Sequence, residues 1–527
     1  MKLELDCNTY PQTTNFLSQK NGYYILPATP SLLNRLGINS PKYIGYRQQI
    51  INTKTSDKIY NPILRHYQNQ AVDFLLSNGN KACFDEQRLG KTPTVLTVIK
   101  ELKAKALIVT PKSLTHQWYK EYKKWVDDNV ILIDGTVDQR TQLYKKDSLS
   151  SIILSYNTLS NDLEHIEKLK FDIMIIDEAH RIRNLKKGVR NAPKEAKATV
   201  KIGKHIPKRI ALTGTPANNY ADDIFGILQF LYPDIFTSYY NFSNYYFEQE
   251  EIYTRQNGAL KIVTACSGKF KQGKEQELLE FLELISIQRK RKEVMTWLPE
   301  YNIERVLVPM TPKQAEAYKQ LSKYFELNDI IIMNPLELMT AQRQLTVLPK
   351  LFNIDDNGCK AEFVFDYMKS NQGRKVIVVS TFVKPLKYLK SILNAEIIEG
   401  STSAKKREEI KNNFQDATSY ILLASLEVIK EGFQLDTADT IIFLDSSYIY
   451  TSNIQCMDRL VPVSKDRVHN SSQNIIILVA EDTVDEYIYE MVYIKKADSS
   501  DIINNYCKNL ERNKQWHQDL QSQVQKD

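Results

Sequence analysis

Asp85–Thr92 reads DEQRLGKT, set between a short apolar run, Lys81–Phe84 (KACF), and a helical pattern, Thr94–Leu102 (TVLTVIKEL). A strand that ends in a loop, followed by a helix opening on Gly-Lys-Thr, forms a phosphate cradle. Backbone N–H groups at the helix N-terminus face the β-phosphate. In such a cradle Lys91 neutralises β/γ oxygens and the Thr92 hydroxyl ligates Mg2+. Gly90 is needed because the backbone passes too close to phosphate for a Cβ. The pattern is incomplete, because Asp85 holds the usual first glycine position. A chance turn with a capping threonine would read the same, so the rest of the chain has to supply a second half of the site.

That second half lies downstream in Phe171–Asn184, FDIMIIDEAHRIRN. An apolar strand here delivers two adjacent carboxylates, Asp177 and Glu178, at its C-terminal end, the edge where open α/β sheets bind ligands. One carboxylate can hold Mg2+ through water, and its neighbour can orient and deprotonate an attacking water. Alone, an Asp-Glu pair after a strand reads as a helix N-cap. Paired with the Gly-Lys-Thr loop it reads as catalytic machinery, with His180 placed to sense the nucleotide state.

Working outward, short β-branched runs alternate with amphipathic stretches: Ala106–Thr110, Ser151–Ser155, Ile173–Ile176, Arg209–Thr213, Lys375–Ser380, Tyr420–Ala424 and Thr440–Leu444. Continuous apolar runs are what strands buried on both faces look like, and strand–helix–strand order predicts parallel sheets. The runs fall into two groups. The fold class expected is therefore α/β, with two parallel-sheet lobes at residues 56–236 and 346–495. A mostly helical insertion is expected at 237–345, a small separate element at 1–55 and a polar helical tail at 496–527.

Composition sets wide limits. The chain has 527 residues, 42% hydrophobic and 25% charged, with 70 basic and 63 acidic residues and a net charge of +7. A mild positive excess permits a nucleic-acid groove without demanding one. Six scattered cysteines form no CxxC pair, which reads as reduced thiols. The start carries no apolar h-region, and the apolar runs are far short of the ~20 residues a membrane span needs. A soluble, cytoplasmic protein is expected.

DEQRLGKT, DEAHRIRN and Leu212–Asn218 (LTGTPAN) together resemble superfamily 2 helicases, and within them the Snf2-like branch. Further stretches match in order: Leu64–Gln68 (LRHYQ), Leu107–Trp125, Ile153–Leu159, Ile287–Pro299 (IQRKRKEVMTWLP), Val376–Phe382, Ile398–Phe414, Ile421–Asp445 and Gln455–Arg459 (QCMDR). Without chromatin-reading appendages, the chain looks like a minimal member, as in phages, viruses or annealing helicases. The resemblance implies two RecA-like lobes around ATP and Mg2+. Gln68 would read the base, and Asp85, Glu86, Gln87, Arg88, Leu89, Gly90, Lys91 and Thr92 would form the nucleotide loop. Thr92 and Asp177 would hold the metal. Lys91, Glu178, Gln455 and Arg459 would carry the chemistry, with Arg459 stabilising the transferring phosphoryl group. His180, Thr213, Gly214, Thr215 and Gly432 would couple hydrolysis to lobe movement. The partner implied is DNA, duplex or branched. Pro111, Lys112, Ser113, Thr381 and Ser425 would contact its phosphate backbone, which carries no base sequence.

Three positions depart from the family pattern. Arg88 and the Val428–Leu435 stretch (VIKEGFQL) lack expected glycines, and Pro462 stands where a second arginine is usual, leaving Lys465 or Arg467 as substitutes. The expected function is ATP-dependent translocation on duplex DNA. A strand-separating or branch-migrating helicase is the alternative, and a non-hydrolysing ATP- and DNA-binding scaffold is a third reading. Trp118 and Trp125 read as core packing. Arg289–Lys292 (RKRK) reads equally as a phosphate contact or a solvated helix end. The Tyr-rich Ser238–Tyr246 reads as a small satellite core.

Overall fold

Alternating side chains of the central strands go to opposite faces, and here both faces are buried. In Ala106–Thr110, Leu107 and Val109 join one apolar cluster, and Ala106 and Ile108 join another. Ile173–Asp177 divides the same way, with Met174 and Ile176 on one face and Ile173 and Ile175 on the other. A strand buried on both sides needs helices on both sides, which is the architecture the alternating runs predicted. The computed structural model describes residues 2–6, 18–20, 23–27, 29, 58–145, 150–187, 191–216, 221–256, 259–295, 302–328, 330–416, 420–429, 435, 437–460 and 473–495. The chain divides into two units, Met1–Thr296 and Trp297–Asp527.

The first unit opens with β1 (Lys2–Asp6), β2 (Ser18–Lys20) and β3 (Tyr23–Pro27), a three-stranded antiparallel sheet in the order β1-β3-β2. Its main sheet contains β4 (Lys81–Cys83), β5 (Ala106–Thr110), β6 (Val130–Leu132), β7 (Ser151–Ser155), β8 (Ile173–Asp177) and β9 (Lys208–Leu212). Beyond them a hairpin of β10 (Phe247–Gln256) and β11 (Ala259–Phe270) pairs antiparallel. The chain then returns as β12 (Ser286–Ile287) to the main sheet, whose order is β12-β4-β9-β8-β5-β7-β6, all parallel.

In the second unit, β13 (Asn302–Val308) is followed by the hairpin β14 (Glu326–Leu327) and β15 (Ile330–Ile331). Next come β16 (Val376–Ser380), β17 (Glu396–Ile398), β18 (Ile421–Ser425), β19 (Thr440–Phe443) and β20 (Asn474–Ala480). The second parallel sheet runs β13-β20-β19-β16-β18-β17. It too is covered on both faces: Ile377 and Val379 face one cluster, Val376 and Val378 the other.

The expected helical insertion at 237–345 needs correction. It contains the β10–β11 hairpin, and two strands in its middle belong to the two sheets: β12 extends the first and β13 edges the second. β13 carries Glu304 and Arg305 and is largely exposed. An edge strand is paired on one side only, so it lacks the apolar run by which buried strands are recognised. The Tyr-rich stretch does build a satellite core: Phe242, Tyr245 and Tyr246 of the helix Tyr239–Tyr246 are buried with Phe225, Phe236 and Phe281. The expected tail at 496–527 lies outside the described residues.

Candidate functional site

β4 ends at Cys83, and the chain loops to the helix Lys91–Leu102. That helix forms because Val95, Leu96, Val98 and Ile99 make one buried face. Its N-cap is Gly90, at φ +78°. A Cβ there would meet the Gln68 amide nitrogen at 2.1 Å, so both the backbone and the neighbour require glycine. Arg88 also lies in the left-handed region, at φ +67°. This accounts for the glycine expected at that position from the resemblance, and an arginine in that conformation costs on the order of 1 kcal/mol.

The helix His66–Leu76 holds the loop from one side. Gln68 Nε2 donates to the Leu89 carbonyl at 3.0 Å, and the Tyr67 hydroxyl donates to the same oxygen at 3.2 Å. Gln68 Oε1 accepts the Arg65 amide at 2.8 Å. Gln68 thus braces the loop through both ends of its side-chain amide. Lys91 Nζ curls back to the Asp85 and Glu86 carbonyls, at 2.7 and 3.2 Å. Thr92, in the first helical turn, is half-buried.

Asp85, assigned by the resemblance to the nucleotide, turns its carboxylate elsewhere. It is buried and pairs with Arg289, whose Nε reaches Oδ1 at 3.0 Å and whose Nη2 contacts Oδ2. Glu86 accepts the Arg291 amide at 2.5 Å. The Arg289–Lys292 run is therefore neither a solvated helix end nor a free phosphate contact at these two positions. It lies along the loop, where the Phe84 amide donates to the Ile287 carbonyl and the Glu86 amide to that of Arg289. No sequence signal pointed there, because the contact spans 204 residues.

β8 lies one strand from β4, with β9 between them, so Asp177 and Glu178 emerge at the same sheet edge as the loop. Asp177 is buried. Its Oδ2 accepts Trp118 Nε1 at 2.8 Å and the Thr110 hydroxyl at 3.3 Å, and its Oδ1 accepts the Glu178 amide at 3.0 Å. Burial, then the charge of Glu178, pushes the Asp177 carboxyl up to about 6, against the pull of the Trp118 hydrogen bond and Lys91. Trp118 does more than the core packing expected of it. It sits on the buried face of the helix Thr115–Trp125, and because β5 neighbours β8 its indole N–H reaches the carboxylate.

Glu178 has φ +51°. His180 Nδ1 lies 3.3 Å from Glu178 Oε2 and 3.2 Å from the Thr213 hydroxyl, which accepts the Thr215 amide at 3.1 Å. The Thr213 amide donates to the Cys83 carbonyl, and Gly214 packs on Gln87, where a Cβ would stand 3.3 Å from Gln87 Cγ. The structure thus gathers His180, Thr213, Gly214 and Thr215 around Glu178 and the loop. Gly432, Asn218, Pro462, Lys465 and Arg467 lie outside the described residues.

Among the residues expected to touch phosphate backbone, Pro111, Lys112 and Ser113 sit in the turn after β5, and the Lys112 ammonium pairs with Asp134 while 60% exposed. Ser425 ends β18 and is buried. Thr381 needs correction, since its hydroxyl donates to Asp445 and its amide donates to the same carboxylate at 3.0 Å. That carboxylate also accepts Arg343 at 3.0 Å, which makes it the hub of a buried network. Gln455 lies on the helix Tyr450–Met457 and Arg459 in the following turn, Asp458–Leu460, both half-buried.

Comparison with known proteins agrees with the motif order. The family model described as SNF2-related domain matches residues 67–361, and that described as helicase conserved C-terminal domain matches 359–461. The SWI/SNF-related matrix-associated actin-dependent regulator of chromatin subfamily A member 1 of Homo sapiens is 25% identical over 494 residues, covering 84% of this chain and 44% of its own. The ISWI chromatin-remodeling complex ATPase ISW1 of Saccharomyces cerevisiae is 24% identical, with 83% and 40% covered. An uncharacterized ATP-dependent helicase of Mycoplasma pneumoniae is 25% identical, with 81% and 41% covered. The chain spans less than half the length of these relatives. A solved SWI2/SNF2 ATPase core of Sulfolobus solfataricus in complex with dsDNA is similar at 20% identity and a TM-score of 0.40, over 87% of this chain and 97% of that one. With the SNF2-related domain spanning more than half of it, the chain belongs to the SNF2-related domain family.

Proposed function

We propose that the chain is an ATP-hydrolysing motor that moves on double-stranded DNA without separating its strands. The observation that carries this reading is the convergence, in one unit, of a strand–loop–helix cradle and an acidic pair at the same edge of a parallel sheet. The relatives named as a regulator of chromatin, a chromatin-remodeling complex ATPase and an ATP-dependent helicase support it.

The donor set fits a magnesium nucleotide. Thr92, Asp177 and Glu178 offer only oxygen, as a hard divalent cation prefers. The raised carboxyl of Asp177 marks a buried charge that a nearby cation would relieve. Bound with ATP, such an ion neutralises charge on the β- and γ-phosphates. Lys91 and the amides opening its helix would bind those phosphates. Glu178 would orient the attacking water and take its proton, with His180 and Thr213 holding the carboxylate in place. Gln455 and Arg459 of the second unit are assigned to the same reaction by the family pattern, with Arg459 stabilising charge on the transferring phosphoryl group. Pro111, Lys112 and Ser113, with Ser425, are assigned to the DNA backbone.

Two displacement assays test the proposal. ATP-dependent displacement of a triplex-forming strand, without unwinding of a forked duplex, supports duplex translocation. Fork unwinding without triplex displacement would replace it with a strand-separating helicase.

A further inference from the structure

The segment around Arg289 has no role in the reaction as described, yet side-chain and main-chain bonds tie it to the phosphate loop. β12 adds to the edge of the sheet beside β4, pairing Ser286 with Ala82 and Ile287 with Cys83. The chain then continues along the loop, accepting the Phe84 and Glu86 amides. Arg289 grips Asp85 with two nitrogens, and its third, Nη1, donates to the Tyr67 carbonyl. Its guanidinium lies 5.1 Å from the Tyr67 ring centroid. Both side chains are nearly dry, with Arg289 12% and Asp85 3% exposed.

Lys91 makes this pairing consequential. Its ammonium lies 2.7 Å from the main-chain oxygen of the same Asp85. A buried carboxylate that loses its cation seeks another, and Lys91 is within the loop that carries it. We propose that Arg289 is a positioning residue that occupies the Asp85 carboxylate and so leaves the Lys91 ammonium for the nucleotide phosphates. This rests on the reading of the loop as a nucleotide site, and its test separates the two. The charge is the larger part: a lysine at 289 would keep it while giving up the fork's hold on both carboxylate oxygens and the Tyr67 carbonyl, a loss of no more than about threefold.

The test measures binding of the fluorescent nucleotide mant-ADP with Mg2+ to the full chain, in a double-mutant cycle with thermal melting alongside. Arg289→Gln should weaken binding by about tenfold or more, as Lys91 turns to the uncovered carboxylate. Asp85→Asn combined with Arg289→Gln should recover most of that loss, because the competing charge is gone. A double variant bound as weakly as the single, or a single variant that melts lower yet binds like wild type, would reduce Arg289 to a structural brace and overturn the proposal. If Arg289→Gln does not fold, Arg289→Lys keeps the charge. It should bind within about threefold of wild type, whereas a tenfold loss there would refute the charge argument. A wild-type chain that binds no mant-ADP would instead sink the nucleotide reading itself.

Discussion

Replacing Asp177 by asparagine should stabilise the folded chain while abolishing hydrolysis. The carboxyl rises from its ordinary 3.8 to about 6 through burial and the charge of Glu178. At about 1.4 kcal/mol per pH unit, holding it ionised costs the fold about 3 kcal/mol near neutrality. The sign follows from proton counting: between roughly pH 4 and 6 the folded chain binds more protons than the unfolded one, so stability falls as pH rises through that window. Asparagine removes the charge and keeps an acceptor for Trp118. It cannot also accept from both the Glu178 amide and Trp118, and the lost hydrogen bond returns about 1–2 kcal/mol of the gain. The net expectation is about 1–2 kcal/mol of added stability at pH 7.5, read by urea unfolding in EDTA without nucleotide. Because wild type sheds part of its penalty on protonation, that gain should shrink by about 1 kcal/mol at pH 5. A gain that stays constant with pH, or an Asp177→Asn chain less stable than wild type at pH 7.5, would refute the argument that the site holds an unrelieved buried charge.

Other substitutions test the remaining parts. Trp118→Phe removes the indole N–H but keeps an aromatic core residue. The charge-assisted bond is worth about 1.5–3 kcal/mol, so kcat should fall on the order of tenfold and more Mg2+ should be needed for half-maximal rate. Gly90→Ala forces a Cβ onto the Gln68 amide at a left-handed position, and nucleotide affinity measured by mant-ADP titration should drop about tenfold, with about 1–2 kcal/mol of strain. Arg459→Ala should abolish nucleic-acid-stimulated ATPase, whereas Lys465→Ala should only weaken it; full activity in the first would show the arginine assignment is wrong.

Much of this architecture could be read from the sequence because buried parallel strands announce themselves. Ala106–Thr110, Ser151–Ser155 and Asn474–Ala480 are continuous apolar runs, and each is a strand within those bounds. β13 escaped because it is an exposed edge strand, and β12 because two residues carry no period. The hairpin of β10 and β11 was hidden among polar residues that read as an insertion of helices. At the site, the loop and the acidic pair were legible because a phosphate cradle dictates residue types at fixed spacing. Arg289 on Asp85, Trp118 on Asp177 and Asp445 on Thr381 were not. Each depends on which strands become neighbours, and the Arg289 contact joins segments 204 residues apart. The sequence offers a charge or an indole there, without an address.

Lys91 and the Asp177–Glu178 pair are proposed to make one reaction centre whose output is coupled to duplex DNA. Steady-state phosphate release, compared across duplex DNA, single-stranded DNA and RNA over a salt series, tests it most directly. The rate should rise most with duplex, fall as salt weakens phosphate contacts, and disappear in Lys91→Ala and Glu178→Gln. Hydrolysis that is indifferent to all three nucleic acids, or that survives both substitutions, would contradict the proposal.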